Sequence, residues 1–188
     1  LFGATGSLML PEIQQLLLPI QQQTAQYPVL VLSYLLILVG IGFKISMAPF
    51  HLWAPDVYEG APTPVTAFLT VGPKALGFAV LIRVLAAFFP SFGDKWSTPI
   101  VYLSILTMTL GNVTAIAQTN IKRLLAYSSI AQAGYILMGI AVFTDTGIAG
   151  VLIYLLAYAF TNLGAFTIVL FASSHFGNDH IDSYAGLS

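Results

Sequence analysis

The sequence predicts an all-α membrane protein, a fragment of a helical bundle with about five transmembrane helices, the first of them broken near Pro49. Three observations predict it. Hydrophobic residues make up 57% of the chain and charged residues 7%, where a soluble domain carries about 25% charged residues. The mean hydropathy is +0.88. The apolar residues come in continuous runs of about 20, enough to cross a hydrocarbon core, and not in the alternation of barrel strands. Backbone groups in lipid must pair internally, so these runs are helices.

Taken in order, the chain opens without an initiating Met or a positive flank, unlike a signal peptide. Residues 1–8 read as the end of a helix, and the whole chain as part of a longer membrane protein. Residues 9–27 contain Pro11, Pro19 and several glutamines and predict an extramembrane loop, with room in it for a short amphipathic helix. Residues 28–58 predict one broken helix. Unbroken, it would run about 45 Å at 1.5 Å per residue, longer than a core of about 30 Å. Pro49 removes a backbone donor and clashes with the preceding turn. It is expected to mark the break within about one turn, with unpaired carbonyls before it.

Residues 55–64 form a Pro/Gly loop without Lys or Arg. Helices are expected over 65–89, 99–118, 127–143 and 147–174, followed by a polar tail over 175–188. Arg83 is placed to snorkel to the interface. The loop over 90–98 holds Asp94, Lys95 and Trp96. Gly72, Gly77, Gly111, Gly134, Gly139 and Gly164 are candidates for close helix approach. Lys122 and Arg123 place the stretch 119–126 on the cytoplasmic or equivalent side. Alternation puts the Pro-rich loop and the tail on that side too; Lys95 counts against this orientation.

Several function classes are excluded or disfavoured. The chain has no cysteine and a net charge of −1, so thiol chemistry is absent and no nucleic-acid surface is expected. His175 and His180 lie outside any clustered ligand pattern, so no metal is expected. Gly-Ala-Pro-Thr-Pro lacks the ending of a phosphate loop.

Two lysines inside apolar runs, Lys44 and Lys74, are the leading functional candidates, because a Lys at a helix centre costs roughly 2.5–3.5 kcal/mol. Each either snorkels to the headgroups or presents its amine to a polar interior, where it gains and loses a proton. His51 follows Lys44 by two helical turns and is either a hydrogen-bonded linker or a relay. Asp56 and Glu59 read as turn or capping residues. Ser128, Ser129 and Gln132 begin the fourth span, and Thr161 and Asn162 lie in the fifth. They read as interhelical hydrogen bonds or water-chain contacts. The supporting set is His51, Pro49, Ser128, Gln132 and Asn162.

Four stretches carry a resemblance: G-F-K-I-S-M-A-P-F-H-L-W-A-P-D-V-Y-E-G-A-P-T-P-V, then V-G-P-K, then G-N-V-T-A-I-A-Q-T-N-I-K-R-L-L-A-Y-S-S-I-A-Q-A-G-Y, then I-D-S-Y-A-G-L. They are similar to the antiporter-like membrane subunits of proton-pumping NADH:quinone oxidoreductase, respiratory complex I. The V-Y-E-G-A-P-T-P-V run is typical of the subunit N branch, which has a counterpart in the plastid and cyanobacterial NDH complex. The resemblance implies an inverted-repeat bundle of about fourteen helices with one broken helix per repeat. It implies that Lys44, on the broken seventh helix, and Lys74, on the eighth, belong to the proton pathway. The family's Glu on helix five and Lys on helix twelve are expected to lie outside this chain. The implied function is proton translocation coupled to electron transfer from NADH to quinone elsewhere in the complex. NADH, FMN, iron–sulfur clusters and quinone would be bound by other subunits, and this chain would hold no cofactor. The implied partners are the lipid bilayer, antiporter-like subunit M and small membrane subunits. The implied place is the bacterial plasma membrane, with thylakoid and mitochondrial inner membranes as alternatives. The rival readings are an Mrp-type cation/proton antiporter and a structural scaffold.

Overall fold

The computed structural model describes residues 2–21, 27–92 and 97–185. Among them the regular elements are all helices, with one isolated antiparallel bridge between Asn120 and His180. The sequence expectation for Asp94, Lys95 and Trp96 lies outside the described residues. The helices are α1 (Phe2–Thr5), α2 (Leu10–Gln21), α3 (Tyr27–Lys44), α4 (Trp53–Gly60), α5 (Thr63–Phe92), α6 (Ser97–Ile116), α7 (Ile121–Val142) and α8 (Asp145–Phe176). A 3₁₀ turn, Ile181–Tyr184, closes the described chain. Four helices are long and apolar enough to cross a membrane, and Pro28–Lys44 is a shorter apolar helix.

Within residues 9–27 the short helix is α2. Pro11 sits in its first turn, where the missing N–H has no intrahelical acceptor anyway. Glu12 in the same turn complements the helix dipole. Ile13 and Leu17, one turn apart, are buried, so a single stripe anchors α2 to the bundle. It packs chiefly on α5.

The break in the first long helix is present, but α3 already ends at Lys44, ahead of Pro49. Ser46 takes a left-handed backbone, φ 59°, which a helix cannot continue. The Ala48–Pro49 peptide is cis. Two carbonyls before the break, of Gly42 and Phe43, are not left open, contrary to expectation. Met47 N–H donates to Gly42 O at 2.8 Å, and the Trp53 indole N–H donates to Phe43 O at 2.9 Å. Ala48 N–H finds the Thr107 hydroxyl of α6 at 3.0 Å. The interrupted segment is therefore tied at both ends and to a neighbouring helix, and Ile45, Ser46, Met47, Ala48 and His51 in it are buried in protein, as irregular backbone at membrane depth requires.

α6 and α7 form the most extensive helix pair and run antiparallel. A methyl group on Gly111 would lie 2.5 Å from Ala131 N, and one on Gly134 would lie 2.6 Å from Met108 N. The backbones touch, and Ser104 Oγ on α6 donates to Gly134 O at 2.7 Å. Gly77 and Gly139 also meet neighbouring elements closely, whereas Gly164 has nothing within 4 Å and Gly72 meets only Phe68 of its own helix. α7 is the central element: 50% of its apolar window is buried, against 17% for α8. It begins at Ile121, earlier than expected, because Asn120 caps it by accepting from Lys122 N–H and Arg123 N–H. Lys122 and Arg123 thus belong to the first turn of a helix, not to a loop.

Candidate functional site

The site is built from helices that each supply one buried polar group. α5 supplies Lys74, α7 supplies Ser129, α8 supplies Tyr158 and α4 supplies Tyr58. Lys74 is 1% exposed, Ser129 1% and Tyr158 5%. The Lys74 ammonium donates to Ser129 O at 2.8 Å and to Ser129 Oγ. Ser129 Oγ and Tyr158 OH share a hydrogen bond of 2.7 Å. The Tyr58 hydroxyl donates to Leu69 O at 3.3 Å and also lies against the Ser129 side chain.

Lys74 ends a polar stripe on α5. Thr66, Thr70 and Lys74 repeat every four residues and share one face; all three are buried. Thr66 Oγ1 donates to Tyr58 O and Thr70 Oγ1 to Ala67 O, so the threonines are satisfied within the protein. Lys74 has no carboxylate partner among the described residues. Neutral oxygens hold its amine. A primary amine with or without its extra proton keeps donors for both of them, so this geometry tolerates either charge state.

Lys44 lies differently. It is exposed and has no hydrogen-bond partner among the described residues. Its stem packs on α5, where a methyl on Gly77 would lie 3.6 Å from Lys44 Cγ. Gly77 is one turn beyond Lys74, so the two lysines sit at similar depth, offset by about 4.5 Å of helix rise. His51 is buried at the break, and its Nδ1 has no partner; neither has Ser46 Oγ in the same segment. Pro49 is exposed within the break.

The remaining candidates divide. Ser128 is half-buried and makes none of the contacts around Lys74; its neighbour Ser129 makes them. Gln132 Oε1 accepts from Tyr154 OH, and Asn162 Nδ2 donates to Tyr158 O at 3.1 Å. The first bond joins α7 to α8, and the second lies within α8, where Asn162 is one turn from Tyr158. Tyr58 and Tyr158 were not singled out by sequence. The signal for them was weak, since a tyrosine in an apolar run is ordinarily part of the core.

A second cluster closes one end of the bundle. Asp56 and Glu59 lie on α4, not in a loop, and both accept from Arg123 Nη1, at 2.6 and 2.9 Å. These pairs are exposed enough that each is worth at most about 1 kcal/mol. Lys122 Nζ pairs with Asp179 at 3.2 Å and donates to Ala61 O at 3.1 Å. Ile121 N–H donates to Asp179 O and Ile181 N–H to Thr119 O, both at 2.9 Å. The Pro-rich segment, the start of α7 and the tail therefore meet at one end. Cysteines introduced as Thr119→Cys and Ser183→Cys are expected to react with an impermeant maleimide from the same membrane side. Labelling from opposite sides would contradict this arrangement.

Comparison with known proteins places these features in context. The profile of the NADH:quinone oxidoreductase/Mrp antiporter transmembrane family matches residues 1–188. NADH-quinone oxidoreductase subunit N of Desulforamulus reducens is 48% identical over 99% of this chain and 38% of its own length. NAD(P)H-quinone oxidoreductase subunit 2 of Thermosynechococcus vestitus is 52% identical over 100% of this chain and 35% of its own. The chain thus spans little more than a third of the length of these relatives. Among solved structures, a chain of respiratory complex I from Thermus thermophilus is 38% identical with a TM-score of 0.66, over 90% of this chain and 34% of that one. A chain of the Mrp complex from Dietzia sp., at 24% identity and a TM-score of 0.75, covers 88% of this chain and 29% of that one and shares the fold.

Proposed function

The chain belongs to the NADH:quinone oxidoreductase/Mrp antiporter transmembrane family and is an integral membrane protein; from that premise we propose that it moves protons as part of an antiporter-like subunit of the N type in a quinone-reducing complex. Electrons pass from NADH to quinone on other subunits, which hold the FMN, the iron–sulfur clusters and the quinone. Its neighbours in this reading are lipid, antiporter-like subunit M and small membrane subunits.

The observation that carries the reading is Lys74, an amine buried in a membrane span and held by the neutral oxygens of Ser129. A buried charge is costly unless paired and hydrogen-bonded, and ionisable groups inside spans are functional by default. Lys74 takes up and releases a proton, and Lys44, one turn away in depth, exchanges it through water. Two nearby ammonium groups repel strongly at low dielectric, so occupancy of one favours release from the other. His51, with its free Nδ1 at the break, is a supporting group on the Lys44 side.

The test uses inverted vesicles from cells carrying the full-length protein in its complex. Internal acidification is followed with a pH-quenched dye. Acidification on adding NADH, independent of sodium, is the expected result. Dye recovery on a sodium jump without any electron donor, with no response to NADH, would instead establish the cation/proton antiporter.

A further inference from the structure

Lys74 is held by a single residue that faces two ways. Ser129 offers Lys74 both its carbonyl and its hydroxyl, and the same hydroxyl meets Tyr158 OH on α8 at 2.7 Å. All three side chains are buried. We propose that Ser129 is a positioning residue that holds the Lys74 amine and couples its charge state to the Tyr158 hydroxyl on α8. The inference rests on the reading of Lys74 as a proton-carrying group.

The chemistry follows from the donor inventory. An ammonium has three donors and no acceptor; a neutral amine has two donors and one lone pair; a hydroxyl donates once and accepts twice. When Lys74 is charged, Ser129 Oγ can only accept from it, which leaves the serine proton free to point to Tyr158 O. When Lys74 is neutral, its lone pair can accept the serine proton, and Ser129 Oγ then accepts from Tyr158. The hydrogen-bond chain reverses without breaking, and no bond other than hydrogen bonds changes. The hydroxyl pair can run in either direction. Tyr58 also lies against Ser129, so α4, α5, α7 and α8 all meet at this serine. Reversal would register the proton on α5 at a side chain of α8, and it supplies a fixed acceptor whichever state the amine is in.

The geometry separates Ser129 from residues that merely fill space. Thr70 is equally buried on the α5 stripe one turn from Lys74, yet its hydroxyl bonds to Ala67 O of its own helix and not to the amine.

The experiment uses the full-length protein in its assembled complex. Ser129→Ala, Ser129→Thr and Tyr158→Phe are compared with the unaltered protein for assembly, electron transfer to an artificial acceptor and proton uptake as a function of pH. Losing a hydrogen bond to the ammonium disfavours its charged form. Ser129→Ala is therefore expected to displace the pH profile of proton uptake by about one unit or more. Tyr158→Phe should displace it less, and Ser129→Thr should restore it, as a structural filler would not. If Ser129→Ala and Tyr158→Phe assemble and keep the unaltered pH profile while Lys74→Met has lost proton uptake, the coupling is refuted and the lysine assignment stands. If Lys74→Met also pumps normally, the underlying reading falls. If Ser129→Ala fails to assemble, Tyr158→Phe alone decides: a displaced profile supports the coupling and an unaltered one refutes it.

Discussion

Gly134→Leu is expected to destabilise the full-length protein severely, and Gly134→Ala by about 1–3 kcal/mol, the range found for overpacking a filled interior. The reason is that the obstacle is backbone. A Cβ on Gly134 would stand 2.6 Å from Met108 N and 3.0 Å from Met108 Cα, and one on Gly111 would stand 2.5 Å from Ala131 N and 2.8 Å from Ala131 Cα. No rotamer change relieves such contacts; α6 and α7 have to separate. Separation also stretches the 2.7 Å bond from Ser104 Oγ to Gly134 O, leaving buried polar atoms without partners. Because α7 carries Ser129, the displacement reaches the Lys74 site as well. Gly164→Ala is the control, since nothing lies within 4 Å of that position and Ala is the better helix former by about 1 kcal/mol. The check is the temperature at which half the detergent-solubilised protein leaves the monodisperse peak. A Gly134→Leu variant as stable as Gly164→Ala would contradict the close α6–α7 approach.

The spans were legible because their signal is local. Continuous apolar runs can only be helices in lipid, and Lys74 stood out as a charge inside one of them. The break was legible from chain length and Pro49, but its position was not. α3 ends where Ser46 turns left-handed, which the residue type does not announce. The closure of its carbonyls by Trp53 and of Ala48 N–H by Thr107 depends on neighbours that only folding brings together. Asp56 and Glu59 failed for the same reason: their partner Arg123 is 67 and 64 residues away, and nothing local distinguishes an ion pair from a solvated turn. The choice between Ser128 and Ser129 was beyond sequence reasoning. Adjacent residues on a helix point about 100° apart, and which of them faces α5 is set by how α7 rolls against α6. By contrast, the spacing of four that joins Thr66, Thr70 and Lys74 is visible in the sequence and marks the face that turns inward.

Replacing Lys74 by a residue that cannot exchange a proton should have the largest functional effect. Lys74→Met keeps a long unbranched side chain in the buried slot and removes only the ammonium and its bonds to Ser129. Swaps that conserve volume usually cost less than about 1.5 kcal/mol, so the complex is expected to assemble. Lys74→Arg keeps a positive charge but holds its proton at every accessible pH. If the site needed only a charge, the arginine variant would function; if it needs a proton that comes and goes, neither variant does. Both are therefore expected to lose tenfold or more of turnover-linked proton uptake, a change of about 1.4 kcal/mol or greater. Oxidation of the donor with an artificial acceptor should be unaffected in both, because the proposed function assigns that chemistry to other subunits.

The direct measurement is the number of protons taken up per electron transferred in sealed vesicles holding the assembled complex with Lys74→Met or Lys74→Arg. A deficit relative to the unaltered complex in both variants is the expected result; an unaltered ratio in both would contradict the assignment of Lys74 to the proton path.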